Sequence, residues 1–190
     1  YMKVRDVMKQ HVAYELPDVP ERIPVIQTPE VFFDKSVDVI SVLEQQKPVS
    51  AEEPMTFEDL GQGYGYVLYR RHFNQPISGM MRVPGIADFA TVYVNGKKVG
   101  ELNRVIDKDS LLVDIPFNST LDILVENLGR INYGARILDN HKGITRPITI
   151  GDSQISGSWN MYGLPLSEMP DVASMPEGYH AGRPVYYSGS

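Results

Sequence analysis

Short apolar runs punctuated by Gly, Pro, Asn and Asp predict an all-β fold, an antiparallel β-sandwich or jelly roll, for most of this chain. Two local patterns carry the prediction. Asn95-Gly96 sits between two β-rich runs, Phe89 to Val94 and Lys97 onward, and both residues tolerate the positive φ of a two-residue hairpin turn. In Tyr64 to Phe73, Val67, Tyr69 and Phe73 fall on one face while Arg70 and His72 fall on the other, as in a half-buried strand.

From the N-terminus, Tyr1, Val4, Met8 and Val12 recur at helical spacing, so the spacing predicts a short amphipathic helix ending before Pro17. Pro17, Pro20, Pro24 and Pro29 then favour extended backbone, which reads as a strap over 15–35. Residues 36 to 45 fit either a strand, by alternation, or a helical turn starting at a serine. After the Asn95-Gly96 hairpin, Leu111, Val113, Ile115 and Phe117 alternate with Ser110, Leu112, Asp114 and Pro116. Leu121, Ile123 and Val125 likewise alternate with Asp122, Leu124 and Glu126, so two more strands follow. Gly143 to Gly151 and Ser156 to Leu166 complete the set, and Ser167 to Pro184, with three prolines, reads as an irregular connector. The apolar run before Ser190 resembles the first strand of a following domain. Tyr1 in place of an initiator Met, and the lack of a signal-peptide apolar region, read as a piece of a longer polypeptide. The expected organisation is a terminal helix of a preceding domain over 1–14, the strap over 15–35, a β-sandwich over 36–166, and a connector with the start of another β domain over 167–190.

Composition narrows the partners. The net charge is -6, from 24 acidic and 18 basic residues, without a Lys/Arg cluster suited to phosphates, which argues against nucleic acid. No window approaches the ~20 apolar residues of a membrane-spanning helix. The absence of cysteine removes disulfides and thiolate chemistry but leaves the compartment open.

Candidate chemistry is sparse. His11, His72, His141 and His180 occur in no i, i+3 or i, i+4 pair, so no metal site is expected, and no cofactor. Glu52-Glu53, Glu58-Asp59 and Asp107/Asp109 read as solvated loop acids rather than a two-carboxylate hydrolytic site. Glu126 ends an apolar strand, where pairing with Arg130 would hold it ionised, and a structural pair between them is expected. Around it, Asn127, Gly129, Asn132 and Gly134 describe a loop of unusual backbone angles, the kind of rigid loop on a β scaffold that carries recognition. Of the aromatics Tyr64, Tyr66, Tyr69, Tyr93, Tyr133, Trp159 and Tyr162, core packing accounts for most. Tyr133 is expected to face a ligand or another domain. Asn118-Ser-Thr120 is a sequon, usable only in a eukaryotic secretory setting.

Four segments in order, Glu58-Asp-Leu-Gly-Gln-Gly-Tyr-Gly-Tyr-Val-Leu-Tyr-Arg70, Ala90-Thr-Val-Tyr-Val-Asn-Gly-Lys-Lys-Val-Gly100, Leu121-Asp-Ile-Leu-Val-Glu-Asn-Leu-Gly-Arg-Ile-Asn-Tyr-Gly134 and Lys142-Gly-Ile144, resemble the β-galactosidases of glycoside hydrolase family 35. The resemblance spans about residues 54 to 166. It implies a galactose-binding-like jelly roll placed C-terminal to a TIM barrel that supplies both catalytic glutamates of a retaining exo-hydrolase. Neither catalytic motif is matched in this chain, so the resemblance implies no catalytic residue here and no activity of the chain alone. It further implies partners within the same polypeptide (the barrel and a later β domain), galactosides or glycans as ligands of the intact enzyme, and an exported location: periplasmic, extracellular or lysosomal. The expected role is to brace the barrel and shape the rim of the sugar pocket, with Arg130, Asn132 and Tyr133 as rim residues. The alternatives are an independent galactose-binding or glycan-binding module and a structural or adhesion sandwich without sugar binding.

Overall fold

A computed structural model describes residues 1–168 and 170–189, so Met169 and Ser190, both within the expected connector and tail, lie outside the described residues. The backbone divides into two compact units, one from Tyr1 to Val31 and one from Phe32 onward. In the first unit, helix α1 spans Met2–Lys9, one turn shorter than the apolar spacing predicts. The Arg5 guanidinium donates to the carbonyls of Leu16 and Pro17 at 3.1 and 2.7 Å, folding the chain after the helix back along it. No residue of α1 is buried, and Val12 to Phe32 carries no helix or strand.

The second unit contains fourteen strands among the described residues: β1 Phe33–Asp38, β2 Val49–Ala51, β3 Tyr66–Phe73, β4 Ile77–Arg82, β5 Ile86–Ala87, β6 Phe89–Val94, β7 Lys97–Asn103, β8 Ser110–Ile115, β9 Ser119–Glu126, β10 Gly143–Ile144, β11 Thr149–Ile150, β12 Ser153–Gln154, β13 Trp159–Leu164 and β14 Val185–Gly189. A five-residue helix, α2 (Val39–Leu43), follows β1. The open reading of 36–45 resolves into both alternatives in succession. The change occurs at Asp38, whose carboxylate accepts from the Ser41 amide at 2.7 Å and caps the helix.

Every strand pairing is antiparallel. A six-stranded sheet, in the order β2-β13-β3-β9-β6-β7, faces a four-stranded sheet, β12-β11-β4-β8. The core between them is built by Val67 and Tyr69 of β3, Val92 of β6, Val113 and Ile115 of β8, Leu121, Ile123 and Val125 of β9, and Trp159 of β13. This is the predicted antiparallel sandwich. The Asn95-Gly96 turn joins β6 to β7 with φ of 49° and 75°, the left-handed pair that matches strand twist. No helix among the described residues is long and apolar enough to cross a membrane.

The alternation of β9 is only half of its environment. Leu124, expected outside, is buried with Leu68, Tyr93 and Tyr162 under Val39, Ile40 and Leu43 of α2. Asp122 is buried too, held by Arg70 through Nε to Oδ1 at 2.6 Å and Nη2 to Oδ2 at 2.7 Å. A strand covered on both faces needs such a paired acid if it carries one at all. The tail strand β14 pairs with β1, placing Val185 opposite Asp38 and Tyr187 opposite Ser36.

Candidate functional site

The loop after β9 leaves one end of the large sheet and returns at β10. Gly129 and Gly134 adopt φ of 112° and 113° with open space around them, so glycine is required there by backbone conformation and not by crowding. Asn127 organises the first bend, its Oδ1 accepting from the Gly129 amide at 2.9 Å and its Nδ2 donating to the Gly63 carbonyl at 3.0 Å. A short 3-10 turn, Ile137–Asp139, ends the excursion.

Two carboxylates close the neck of this loop. Asp88, joined to Ala87 by a cis peptide bond, is wholly buried and accepts at Oδ2 from both the Leu128 amide (2.9 Å) and the Lys142 ammonium (2.6 Å). Its Oδ1 accepts from Arg104 Nε at 2.6 Å. Lys142 is 1 % exposed, so ammonium and carboxylate are both withdrawn from water, whereas Arg104 is half in solvent. Burial pushes the Asp88 carboxyl up, but the Lys142, Arg104 and Leu128 donors outweigh it and hold the group below the usual aspartate range. Glu58, in the turn before β3, pairs with Arg130 through Oε1 and accepts from the Lys142 amide through Oε2 at 3.0 Å. His141 Nδ1 lies 3.6 Å from that same oxygen. Partial burial raises the Glu58 carboxyl, and the Lys142 amide and Arg130 lower it further than burial lifts it. Asn140 adds two rungs, accepting from the Ile131 amide at 2.8 Å and from Arg130 Nη1 at 3.1 Å.

The pair expected between Glu126 and Arg130 is therefore corrected. Arg130 turns toward the Gly63 side, where its Nε donates to the Gly63 carbonyl at 2.9 Å and Glu58 neutralises it. Glu126 shares the opposite sheet face with Leu124, and its charge raises the pKa of Tyr66, already lifted by burial. The reason is the turn at Gly129, which separates the two side chains after four residues. Of the expected rim residues, Arg130 sits in the neck, while Asn132 and Tyr133 stand beyond it. Tyr133 is 90 % exposed, and among the described residues neither side chain makes a hydrogen bond. Tyr64 is exposed as well, but Tyr69, Tyr93, Trp159 and Tyr162 are core residues.

Under the loop lies a cavity of about 460 Å³, walled by Ile86, Arg104, Asp107 and Lys108 on one side and by Ile131 and Arg136 on the other. Its lining mixes charges of both signs and, among the described residues, contains no Phe, Tyr or Trp, with the His141 imidazole as its one ring. Among the described residues no group of His, Asp and Glu is arranged to hold a metal ion. Asp88 and Lys142 are site residues that the sequence reading missed. The available signal was an acid inside the apolar run Ile86-Ala-Asp-Phe-Ala90, since a carboxylate in such a run is almost always paired. Glu58 was read only as a solvated acid.

These features define an all-β sandwich domain with a buttressed loop at one end of its six-stranded sheet. The chain belongs to the family described as "Beta-galactosidase, first all-beta domain", whose model matches residues 54–165. A β-galactosidase of Xanthomonas manihotis is 32 % identical over 188 residues, which cover 98 % of this chain and 31 % of that protein. The β-galactosidase of Bos taurus is 32 % identical over 192 residues, covering 96 % of this chain and 28 % of the relative. That of Homo sapiens is 32 % identical over 175 residues, covering 86 % and 25 %. The chain thus spans about three-tenths of the length of the curated relatives it matches.

Proposed function

We propose that these 190 residues are the non-catalytic β-sandwich portion of a β-galactosidase, an enzyme that hydrolyses terminal β-D-galactosyl residues, and that they brace its catalytic barrel and shape the rim of its sugar pocket. The observation that carries this reading is the loop after β9. Its neck is pinned by Asp88 and Glu58, and it holds Tyr133 in solvent at one end of a rigid sandwich. Costly exposure of an aromatic on a fixed support is the arrangement expected of a residue that meets a partner or a ring-shaped ligand. The helix α1 supports the bracing role, because Met2, Val4, Val7 and Met8 are exposed on it and would gain apolar cover from elsewhere in the polypeptide. The role predicts no hydrolysis by residues 1–190 alone; turnover of a chromogenic β-galactoside by the purified chain would overturn it.

A second reading, an independent galactose-binding module, draws support from the cavity under the loop, whose volume of about 460 Å³ is ample for a hexose. Titration calorimetry with galactose decides between them. Heat at millimolar sugar supports the module, and its absence leaves the rim role.

A further inference from the structure

The neck of the loop is tied more heavily than a surface connection requires. One oxygen, Asp88 Oδ2, receives Leu128 from the outgoing strand of the neck and Lys142 from the returning one. Glu58 repeats the arrangement one layer further out, taking Arg130 from the outgoing side and the Lys142 amide from the returning side. Asn140 and Ile131 close a third rung. Beyond these rungs the apex, 132–138, has no comparable ties among the described residues, and it exposes Tyr133 and Leu138 at 90 % each.

Desolvating a carboxylate and an ammonium together stabilises a fold no better than two apolar side chains of similar volume would. What the charged pair supplies is a single geometry, because an ion pair with three directed donors tolerates few arrangements while an apolar contact tolerates many. The two carboxylates belong to parts of the chain far from the loop in sequence, the turn before β3 and the start of β6, so they register the neck, and through it the apex, against two strands of the six-stranded sheet.

We propose that Asp88 and Glu58 are positioning residues for the galactoside site, acting through the loop neck to fix where Tyr133 stands. This rests on the rim role proposed above. It makes the contribution of the carboxylates conditional on the tyrosine, which a purely structural role would not be.

The test is a double-mutant cycle in the intact polypeptide, with p-nitrophenyl β-D-galactopyranoside as the probe. Asp88→Asn removes the charge of the buried tie. Glu58→Gln removes that of the outer tie, at a part-exposed position where folding is safe. Tyr133→Ala is combined with each. The expected result is a KM raised roughly three- to tenfold by either carboxylate variant with kcat nearly unchanged, short of the ~100-fold that a 1 Å misplacement can cost. In the Tyr133→Ala background the same variants should add less than about twofold, the signature of coupled sites. If Tyr133→Ala itself leaves kinetics unchanged, the rim role fails. If Tyr133→Ala raises KM but Glu58→Gln and Asp88→Asn do not, or their effects multiply with it, the positioning role is overturned while the rim role stands.

Discussion

Replacing Asp88 by Ala tests the buried ion pair at the neck of the loop. The substitution leaves the Lys142 ammonium, 1 % exposed, without its counter-charge. Breaking a buried pair from one side costs about 3–5 kcal/mol. The Leu128 amide also loses its acceptor, which adds about 0.5–1.5 kcal/mol where the group is part-buried. Arg104 adds little, since its half-exposed guanidinium regains water. The sum, about 4–6 kcal/mol, is a large share of the roughly 5–15 kcal/mol that holds a domain together. With a urea dependence of about 2 kcal/mol per molar, the unfolding midpoint should fall by ~2–3 M. Trp159, the sole tryptophan and fully buried, reports the transition by fluorescence. The control is Asp88→Leu combined with Lys142→Met, which removes both charges and should recover most of the loss. A loss below about 1 kcal/mol for Asp88→Ala, or a double variant as unstable as the single one, would refute the reasoning.

Three further outcomes follow from the same geometry. Gly143→Ala should destabilise by about 2–4 kcal/mol in thermal unfolding, because an added Cβ would lie 2.2 Å from the Tyr69 hydroxyl and the residue has a φ of 94°. Tyr133→Ala should leave the melting temperature of the chain unchanged, within about 0.5 kcal/mol, since the side chain is almost wholly in solvent. Asp88 and Glu58 both have folded pKa values below their ordinary ones, so their contribution is complete above about pH 4.3 and is lost as pH falls through the folded values. Urea midpoints measured from pH 6 downward should therefore decline at the acid end, and Glu58→Gln should make that decline shallower.

How far the sequence could be read depended on whether the deciding contact was local. The Asn95-Gly96 turn was legible because two adjacent residues and their backbone angles settle it. So were Gly129 and Gly134, whose positive φ is a property of the residue type. The environment of β9 was legible on one face only. Its second face is covered by α2, a helix about eighty positions earlier, and nothing in the alternation of Asp122, Leu124 and Glu126 announces that cover. The partner of Arg130 failed for the same reason. Glu126 is four residues away, but Glu58, at a separation of 72, is brought alongside by the register of β3 on β9. The strand-or-helix ambiguity over 36–45 had a local answer at Asp38, a capping residue before an apolar run, although its burial against Arg183 came from the far end of the chain.

The proposed rim role rests most directly on Tyr133. Steady-state kinetics of Tyr133→Ala in the intact polypeptide, against a β-galactoside, should show a raised KM or a lowered kcat with the melting temperature unchanged; kinetics identical to those of the unaltered enzyme would contradict it.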